Sequence, residues 1–346
     1  MQIRAAIIGA NGYTGFELMK LLYNHPHFTL TAAASRSHAG KPVAELYPAL
    51  GFAYGDAKFV EPNVDAVAQA ADIVFTALPH AASAQIGGQF YDKGIKVIDL
   101  SADFRYTDIG LYESTYKVTH PRPELNERAA YGLCEINRAA IAKADIVGNP
   151  GCYTTCSILP LYPLLRSGVI SEKGIIIDAA SGITGAGRKA DEAYNFCETD
   201  ENFKAYGVTT HRHTTEIEEK LSFGAEHIAV SFTPHLLPAK RGILATIYAD
   251  VSAGVTAADV DKAYGMYAGE KFAVPLGEGR LPELKWVAGS NVCAFGYKLD
   301  TKCGRIIIVS AIDNLIKGAS GQALQNANIL FGLPEDTGLP VIGNHL

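Results

Sequence analysis

Several features that define particular protein classes are absent from this sequence. No two cysteines have CxxC spacing, no uninterrupted apolar run reaches about 18 residues, and there is no secretory signal. The cysteines are Cys134, Cys152, Cys156, Cys197, Cys293 and Cys303. We therefore expect reduced thiols in a cytoplasmic protein, with no disulfide framework and no insertion into a membrane.

The chain also lacks an excess of basic residues. It has 30 Lys and Arg against 36 Asp and Glu, which gives a net charge of -6 and a pI near 5.9. Proteins that bind nucleic acids usually carry a basic stripe, so we expect no nucleic-acid partner. Its 346 residues, of which 48% are hydrophobic, suffice for about two domains, and no internal repeat or low-complexity linker separates them.

The N-terminal segment has the pattern of a dinucleotide-binding unit. A buried strand is predicted over 3–8, a glycine turn over 9–15, a helix with Phe16, Met19, Leu22 and Tyr23 on its apolar face, and a strand over 28–34. Such a turn rests the pyrophosphate of a dinucleotide on N–H groups at the start of the helix, although the spacing here is GxxGxxG rather than GxGxxG. The candidate cofactor-binding residues in the turn are Gly9, Asn11, Gly12, Tyr13, Thr14 and Gly15.

The end of the second predicted strand favours NADP over NAD. Ser35, Arg36 and Ser37 lie where an NAD-binding protein tends to carry an acidic residue, and Lys41 is near. An arginine and hydroxyl groups can bind a 2'-phosphate, whereas a carboxylate would repel it. The alternative is a solvated basic loop.

The remaining pattern predicts an α/β fold with two domains. Strands over 73–77, 96–100 and 144–147 alternate with helical or loop segments and indicate a doubly wound parallel sheet. Beyond residue 150, β-rich segments over 174–179, 227–233, 242–251 and 305–312 predict an α+β domain. Helical spacing returns over 313–330.

Cys152 is the candidate nucleophile. It follows Asn149, Pro150 and Gly151, a turn that leads into a helix predicted over 153–165, which Pro160 and Pro163 should shorten or kink. The unpaired N–H groups and the macrodipole at a helix N-terminus favour the thiolate over the thiol. The alternative is that Cys152 is a small buried hydrophobic residue.

A second cluster over 211–216 offers an acid/base. An imidazole of His211 or His213 can take the thiol proton and later return a proton to an oxyanion, with Glu216 as the group that orients it. A metal site is the alternative, but no third ligand stands at a recognised spacing, so we expect no metal. Thr215 and Glu218 also match a capping box for the helix that begins there.

Three further segments suit an anion. The loop over 181–189 combines backbone freedom with Arg188 and Lys189, and could contact a cofactor or a substrate phosphate through its N–H groups. A flexible basic hairpin is the alternative for this loop. Arg105 and Arg241, which stand in the segments 99–105 and 235–242, are the other phosphate-binding candidates.

With these segments in order, the chain resembles the N-acetyl-γ-glutamyl-phosphate reductase family over essentially its full length. The motifs that carry the resemblance are GANGYTG at 9–15, SADFR at 101–105, GNPGCY at 148–153, SGITGAGRK at 181–189, HRHTTEI at 211–217 and HLLPAKRG at 235–242. The resemblance implies an NADP-binding Rossmann domain over 1–149 plus 314–346, with the C-terminal helix packed on it. It also implies a catalytic α+β domain over 150–313 that assembles the chain into a homo-oligomer, a dimer or a tetramer.

The resemblance also implies residue roles and a reaction. The cysteine that matches Cys152 carries the acyl group, the histidine that matches His211 is the acid/base supported by Glu216, and the cofactor lies against Ser181, Gly182 and Asn314. The implied reaction is reduction of N-acetyl-L-glutamyl 5-phosphate by NADPH to the 5-semialdehyde and phosphate, through a cysteine thioester. One alternative is a sibling reductase that acts on aspartyl phosphate or on carrier-linked aminoadipyl phosphate. A non-enzymatic NADP sensor is an alternative of another class, whereas a thiol hydrolase would leave the glycine turn and Ser35-Arg36 unexplained.

Overall fold

The chain divides into two compact units. The computed structural model describes residues 2–188, 190–224 and 227–344. The first unit holds residues 2–150 and 319–339, and the second holds the described residues of 151–318 together with 340–344. The expected domain limits place 314–318 and 340–344 with the first domain, whereas these residues cluster with the second unit.

The first unit is built on a parallel sheet of six strands in the order β2-β1-β3-β4-β6-β5. The strands are β1 (Ile3–Ile8), β2 (Phe28–Ala34), β3 (Ile73–Thr76), β4 (Lys96–Asp99), β5 (Ala129–Tyr131) and β6 (Ile146–Gly148). Because β2 and β3 flank β1 on opposite sides, the strand order reverses beside β1. This reversal is the topological switch point at which doubly wound sheets bind ligands.

Helices accompany this sheet along the chain and at the C-terminus. They are α1 (Tyr13–Tyr23), α2 (Val43–Leu46), α3 (Pro48–Tyr54), α4 (Val64–Ala70), α5 (Ala82–Asp92), α6 (Ile109–Tyr116), α7 (Cys134–Ile141) and the C-terminal helix Gly321–Leu330, with a 3-10 helix at Pro123–Arg128. Leu18, Met19 and Leu22 of α1 are buried. Tyr23 was expected on the apolar face but is 54% exposed, where its ring packs edge to face against Tyr54.

The second unit contains a mixed sheet of seven strands in the order β11-β12-β13-β10-β7-β9-β8. The strands are β7 (Ile175–Gly182), β8 (Lys204–Ala205), β9 (Val230–Leu237), β10 (Ile243–Asp250), β11 (Ala273–Glu278), β12 (Cys293–Asp300) and β13 (Arg305–Ile312). Burial alternates along β10, where Ile243, Ala245 and Ile247 are buried. The sheet therefore has one face covered by helices, among them the helix α8 (Cys152–Arg166), which packs on β10 and β13.

The helices of this unit include the one predicted after the cysteine turn. They are α8 (Cys152–Arg166), α9 (Phe196–Thr199), α10 (His213–Leu221), α11 (Ala257–Tyr264) and α12 (Leu284–Val287), with 3-10 helices at Ile183–Ala186, Glu192–Tyr194 and Gly265–Tyr267. Pro160 and Pro163 do not shorten α8, which runs for 15 residues. Pro163 cannot donate to the carbonyl of Leu159, and the Tyr267 hydroxyl donates to that carbonyl instead at 2.8 Å. A tertiary hydrogen bond thus replaces the lost one.

The C-terminal helical segment is interrupted. The predicted helix over 313–330 consists of a π-helix, Ile316–Ser320, followed by α13, Gly321–Leu330. Asp313 stays outside the helix because its carboxylate accepts hydrogen bonds from the N–H groups of Leu315 and Ile316, at 2.8 and 3.2 Å. Helix α13 belongs to the first unit. In the described part of the chain, no helix has both the length and the apolar character needed to cross a membrane.

Candidate active site

The glycine turn of the first unit is shaped by close backbone contacts. Gly9 has a φ of +92°, and a side chain there would collide with the carbonyl group of Ala77 beyond β3. Gly15 would place a Cβ 2.5 Å from the Ala10 carbonyl oxygen. Gly12 is the N-cap of α1 and has no close neighbour. Two of the glycines therefore allow the turn to pack, and the third leaves the N-cap position of the helix without a side chain.

A cleft of about 430 Å³ lies beside this turn, at the carboxyl ends of β1, β2 and β3. Four predicted cofactor residues line it: Gly9, Asn11, Ser35 and Arg36. The Ser35 side chain is buried, whereas the Arg36 side chain is exposed. The opposite wall contains Leu78, Pro79, Ala82 and Ile86, which sequence reasoning missed. The only sequence signal that could have identified these four residues as cleft residues was their position after the third strand of a parallel sheet.

In the second unit, Cys152 is the first residue of α8, with Gly151 as N-cap. It is partly buried, whereas Cys134, Cys156 and Cys293 are buried and Cys197 and Cys303 are exposed. The Gly151 N–H donates to Glu216 Oε1 at 3.0 Å. Behind the cysteine, a Cβ added to Gly318 would lie 2.7 Å from the Cys152 Cβ. The turn is therefore held from one side by a carboxylate and packed from the other by a glycine.

The two histidines of the second cluster lie together beside this turn. Their ring centroids are 4.9 Å apart, and His211 Nδ1 accepts a hydrogen bond from the His213 N–H at 3.1 Å. Burial, reinforced by the Arg212 charge, lowers the pKa of His211 to about 4, although Glu216 acts in the opposite direction. A Cβ added to Gly151 would lie 2.7 Å from His213 Nε2. His213 is thus the imidazole packed against the turn, and His211 is neutral near pH 7.

Helix α10 carries the fully buried Glu216 but does not begin with the predicted capping box. Its first residue is His213. The Thr215 hydroxyl donates to the Arg212 carbonyl, and Glu218 accepts from the Val230 N–H at 3.0 Å. The capping-box prediction is therefore wrong, because Glu218 ties α10 to β9 rather than to its own N-terminus. Among the residues that the structure describes, no three His, Cys, Asp or Glu side chains form a group that could hold a metal ion.

Two tyrosines next to the histidines were also not predicted from the sequence. The Tyr206 hydroxyl donates to the Tyr153 hydroxyl at 3.1 Å, and Tyr153 donates to the His235 carbonyl at 3.2 Å. Both rings pack edge to face against His211, each with a centroid distance of 5.5 Å. Burial raises the pKa of Tyr206 to about 12, so its hydroxyl stays protonated. Together with Phe232, these rings pack around His211.

The predicted anion-binding loop is braced by Asn314. Its Oδ1 accepts from the Gly242 N–H at 2.7 Å, and its Nδ2 donates to Thr184 Oγ1 at 3.0 Å. Ser181 is buried, and a Cβ on Gly182 would lie 2.7 Å from the Arg241 backbone. These residues lie together in the second unit, at the ends of β7 and β10. Arg188 is exposed, and Lys189 lies outside the described residues.

Arg105 and Arg241, two of the candidate phosphate-binding residues, lie in different units. Arg105, in the first unit, is 7% exposed and donates to the carbonyls of Asn149 and Leu100, at 2.6 and 3.0 Å. Arg241, in the second unit, pairs with the buried Asp313 at 3.1 Å and has a side chain that is 24% exposed. Arg241 is therefore the more accessible of the two.

Comparisons with known proteins decide the family. A family model described as "Semialdehyde dehydrogenase, NAD binding domain" matches residues 4–144, and one described as "Semialdehyde dehydrogenase, dimerisation domain" matches 152–314. A protein of Acetivibrio thermocellus named N-acetyl-gamma-glutamyl-phosphate reductase is 49% identical over 342 residues, which cover 98% of this chain and 99% of that protein. One of the same name from Halothermothrix orenii is 48% identical, with 99% of each chain covered. The chain belongs to the N-acetyl-γ-glutamyl-phosphate reductase family. It is an oxidoreductase, and its first unit is a nicotinamide-nucleotide-binding domain.

Solved structures show the same fold. Aspartate semialdehyde dehydrogenase II from Vibrio cholerae aligns with a TM-score of 0.72 at 18% identity, covering 96% of this chain and 99% of that one. Aspartate semialdehyde dehydrogenase with NADP from Candida albicans aligns with a TM-score of 0.69 at 17% identity and the same coverage. The predicted fold, a Rossmann-type domain with a second α+β domain and a C-terminal helix that returns to the first, is confirmed.

Proposed function

We propose that the chain reduces N-acetyl-L-glutamyl 5-phosphate with NADPH to N-acetyl-L-glutamate 5-semialdehyde and phosphate, as a cytoplasmic step of arginine biosynthesis. The observation that carries the proposal is the partly buried Cys152 at the first position of α8, beside a turn that Glu216 and His213 contact at Gly151. The names of relatives that are 48–49% identical support the substrate. Membership in a family of reductases argues against a non-enzymatic NADP sensor.

The first half of the reaction is acyl transfer to sulfur. The helix N-terminus favours the Cys152 thiolate, and the neutral imidazole of His211 accepts the thiol proton. The sulfur forms a bond to the acyl carbon, the carbon–oxygen bond to phosphate breaks, and phosphate leaves. Glu216 holds the Gly151 N–H and, as a buried carboxylate near His211, favours the imidazolium that forms.

The second half reduces the thioester. When bound, the nicotinamide supplies a hydride to the thioester carbon. His211 returns its proton to the oxyanion of the thiohemiacetal. When the carbon–sulfur bond breaks and the C=O bond forms, the imidazole takes this proton back, and the semialdehyde and the Cys152 thiolate are released. His213, the imidazole packed against Gly151, positions the turn in this scheme.

The cleft of the first unit fits NADP. The N-cap of α1 is Gly12, which places no side chain between a pyrophosphate and the first N–H groups of the helix. The exposed Arg36, together with Ser35, offers charge-assisted hydrogen bonds to a 2'-phosphate. Tyr13, Thr14 and Gly15 form the first turn of α1 below this anion site. Ser181, Gly182 and Asn314 are proposed to hold the nicotinamide end of the cofactor.

The substrate phosphate is proposed to bind Arg241, with Arg105 and the exposed Arg188 as further cations. Arg241 fits best because its guanidinium is accessible while Asp313 fixes its direction. Arg105 is buried and donates to two carbonyls, a geometry that also suits a structural role.

The open face of the seven-stranded sheet is proposed to form the homo-oligomer. Tyr248 of β10 pairs with Ile307 of β13 and Ile176 of β7, so the three side chains form a row on one face. All three are only half-buried. A second copy of the chain packed on this row would bury them, which fits a dimer or a tetramer.

Phosphate-dependent NADP reduction with a set of semialdehydes tests the substrate. N-acetylglutamate semialdehyde should give the highest kcat/KM. A preference for aspartate semialdehyde, or for a carrier-linked aminoadipate semialdehyde, would instead support a sibling reductase.

A further inference from the structure

Asp313 joins two parts of the second unit through its carboxylate. The residue follows β13 and is 0% exposed. Its Oδ2 accepts from Arg241 Nη1 at 3.1 Å and from the Gly289 N–H at 2.6 Å. Its Oδ1 accepts from the N–H groups of Leu315 and Ile316, at 2.8 and 3.2 Å. A buried carboxylate is costly unless it is paired and hydrogen-bonded, and these four donors together fix its orientation.

The backbone of the same residue holds the π-helix Ile316–Ser320. The Asp313 carbonyl accepts from the Gly318 N–H at 2.9 Å, a bond that spans five residues as in a π-helix. Gly318 packs against the nucleophile, because a Cβ added to it would lie 2.7 Å from the Cys152 Cβ. A shift of Asp313 would therefore be passed through this turn to Cys152.

The carboxylate also directs the guanidinium of Arg241. The Arg241 side chain is 24% exposed, whereas that of Asp313 is fully buried. The ion pair therefore has one end fixed in the core and one end open to a ligand. Charge-assisted bonds of this kind are short and directional, so the position of Asp313 sets the direction of the guanidinium. Asp313 is thus bonded both to the proposed phosphate-binding group and to the turn behind the nucleophile.

The acyl-transfer step needs these two groups at a set separation. The sulfur attacks the acyl carbon, and the bond that breaks joins this carbon to an oxygen of the phosphate. A phosphate bound to Arg241 therefore places the acyl carbon within a short, fixed distance of its own oxygen atoms. A displacement of about 1 Å between reacting atoms can slow a reaction about 100-fold. The separation of Arg241 and Cys152 can thus control the rate.

We propose that Asp313 is a positioning residue that sets the distance between the phosphate site at Arg241 and the sulfur of Cys152. Its Oδ2 holds the guanidinium, while its Oδ1 and its carbonyl hold the turn that contains Gly318. This inference rests on the proposed roles of Cys152 as nucleophile and of Arg241 as phosphate ligand. Asp313 itself touches no substrate.

Two acyl donors separate this role from a purely structural one. N-acetyl-L-glutamyl 5-phosphate uses the phosphate site, whereas the 5-p-nitrophenyl ester of N-acetyl-L-glutamate can acylate Cys152 without a phosphate. In the absence of NADPH, phosphate release and the burst of p-nitrophenol report the two acylation rates. General damage to the fold would slow both donors alike.

Asp313→Ser removes the partner of Arg241 and spares the turn. The serine hydroxyl can still accept from the Leu315 N–H, but it is too short to reach the guanidinium. We expect acylation by the acyl phosphate to slow about 10- to 100-fold and the ester burst to stay within about two-fold of wild type. Asp313→Ala, which also lacks the acceptor for Leu315, should slow both donors.

Asp250 provides a matched control. It pairs with Arg305 at 2.9 Å and joins the other ends of the same two strands, β10 and β13. Asp250→Ser should keep the wild-type rates with both donors. Should Asp313→Ser fail to fold, Asp313→Asn keeps the size of the side chain. Whichever way its amide turns, it loses half of the four bonds, so acylation by the acyl phosphate should still slow about ten-fold.

Equal slowing of the two donors in Asp313→Ser would show a purely structural role and overturn the inference. Wild-type acylation by the acyl phosphate in a folded Asp313→Ser or Asp313→Asn enzyme would overturn it too. A wild-type enzyme that releases no phosphate from the acyl phosphate would instead refute the proposed function. The two failures are therefore distinguishable.

Discussion

Replacement of Gly318 by alanine should move the nucleophile without removing any group from the site. Gly318 lies behind Cys152, and its added Cβ would be 2.7 Å from the Cys152 Cβ and 3.2 Å from the Ile312 Cδ1. Carbon atoms in contact lie about 3.5–4.0 Å apart, so roughly 1 Å has to be taken up. On the Cys152 side, the nearest atoms are the Cβ and the Cα of Cys152, which cannot rotate away.

The Gly318→Ala substitution should lower both the stability of the fold and the rate of the reaction. Overpacking of this size destabilises a fold by about 1–3 kcal/mol. A shift of about 1 Å at the reacting sulfur lowers kcat about 100-fold. Because the cofactor cleft of the first unit is untouched, the KM for NADPH should stay within about two-fold of wild type.

Steady-state kinetics and thermal unfolding of Gly318→Ala check this. Gly265→Ala is the control, since a Cβ there meets no atom within 4 Å and its backbone φ is ordinary. The control should keep wild-type kcat. A Gly318→Ala enzyme with unchanged kcat would refute the inference that close packing at Gly318 fixes the position of Cys152.

Two further predictions concern the cofactor and the acid/base. Arg36→Ala should raise the KM for NADPH about ten-fold or more, because a charge-assisted hydrogen bond contributes about 1.5–3 kcal/mol. The KM for NADH should stay unchanged. Equal effects on both cofactors would contradict the proposed contact between Arg36 and the 2'-phosphate. The pKa of His211 is lowered from 6.5 to about 4 in the fold. Between these two pH values the unfolded chain therefore binds more protons than the folded chain. The contribution of His211 to stability is present above pH 6.5 and is lost as the pH falls towards 4. Urea unfolding should show a steeper loss over this range for wild type than for His211→Asn, and parallel curves would contradict the lowered pKa.

The strands and helices that could be predicted from the sequence are those whose signals lie within a few neighbouring residues. β1, β3 and β4 are largely buried apolar runs bounded by turns, and the predicted bounds of β13 match the observed ones. β5 has only three residues, and β11 contains Pro275 and Gly277, so neither shows the usual strand pattern. β12 contains Gly296, whose missing side chain makes room for the Arg280 carbonyl.

The same distinction holds for the candidate site. The nucleophile turn could be located because proline, glycine and a helix start are local signals, and Cys152 does begin a helix. The contacts that hold it come from far along the chain. Glu216 and Gly151 are 65 positions apart, and no spacing in the sequence relates them. Gly318 likewise shows no special feature in the sequence, and only the structure reveals its contact with Cys152.

Mass spectrometry of a stalled reaction tests the central claim most directly. Enzyme mixed with N-acetyl-L-glutamyl 5-phosphate in the absence of NADPH, then quenched in acid and digested, should carry one N-acetylglutamyl group, on the peptide that contains Cys152. Addition of NADPH before the quench should remove it. An unmodified Cys152 peptide, or an acyl group on one of the other five cysteines, would contradict the account.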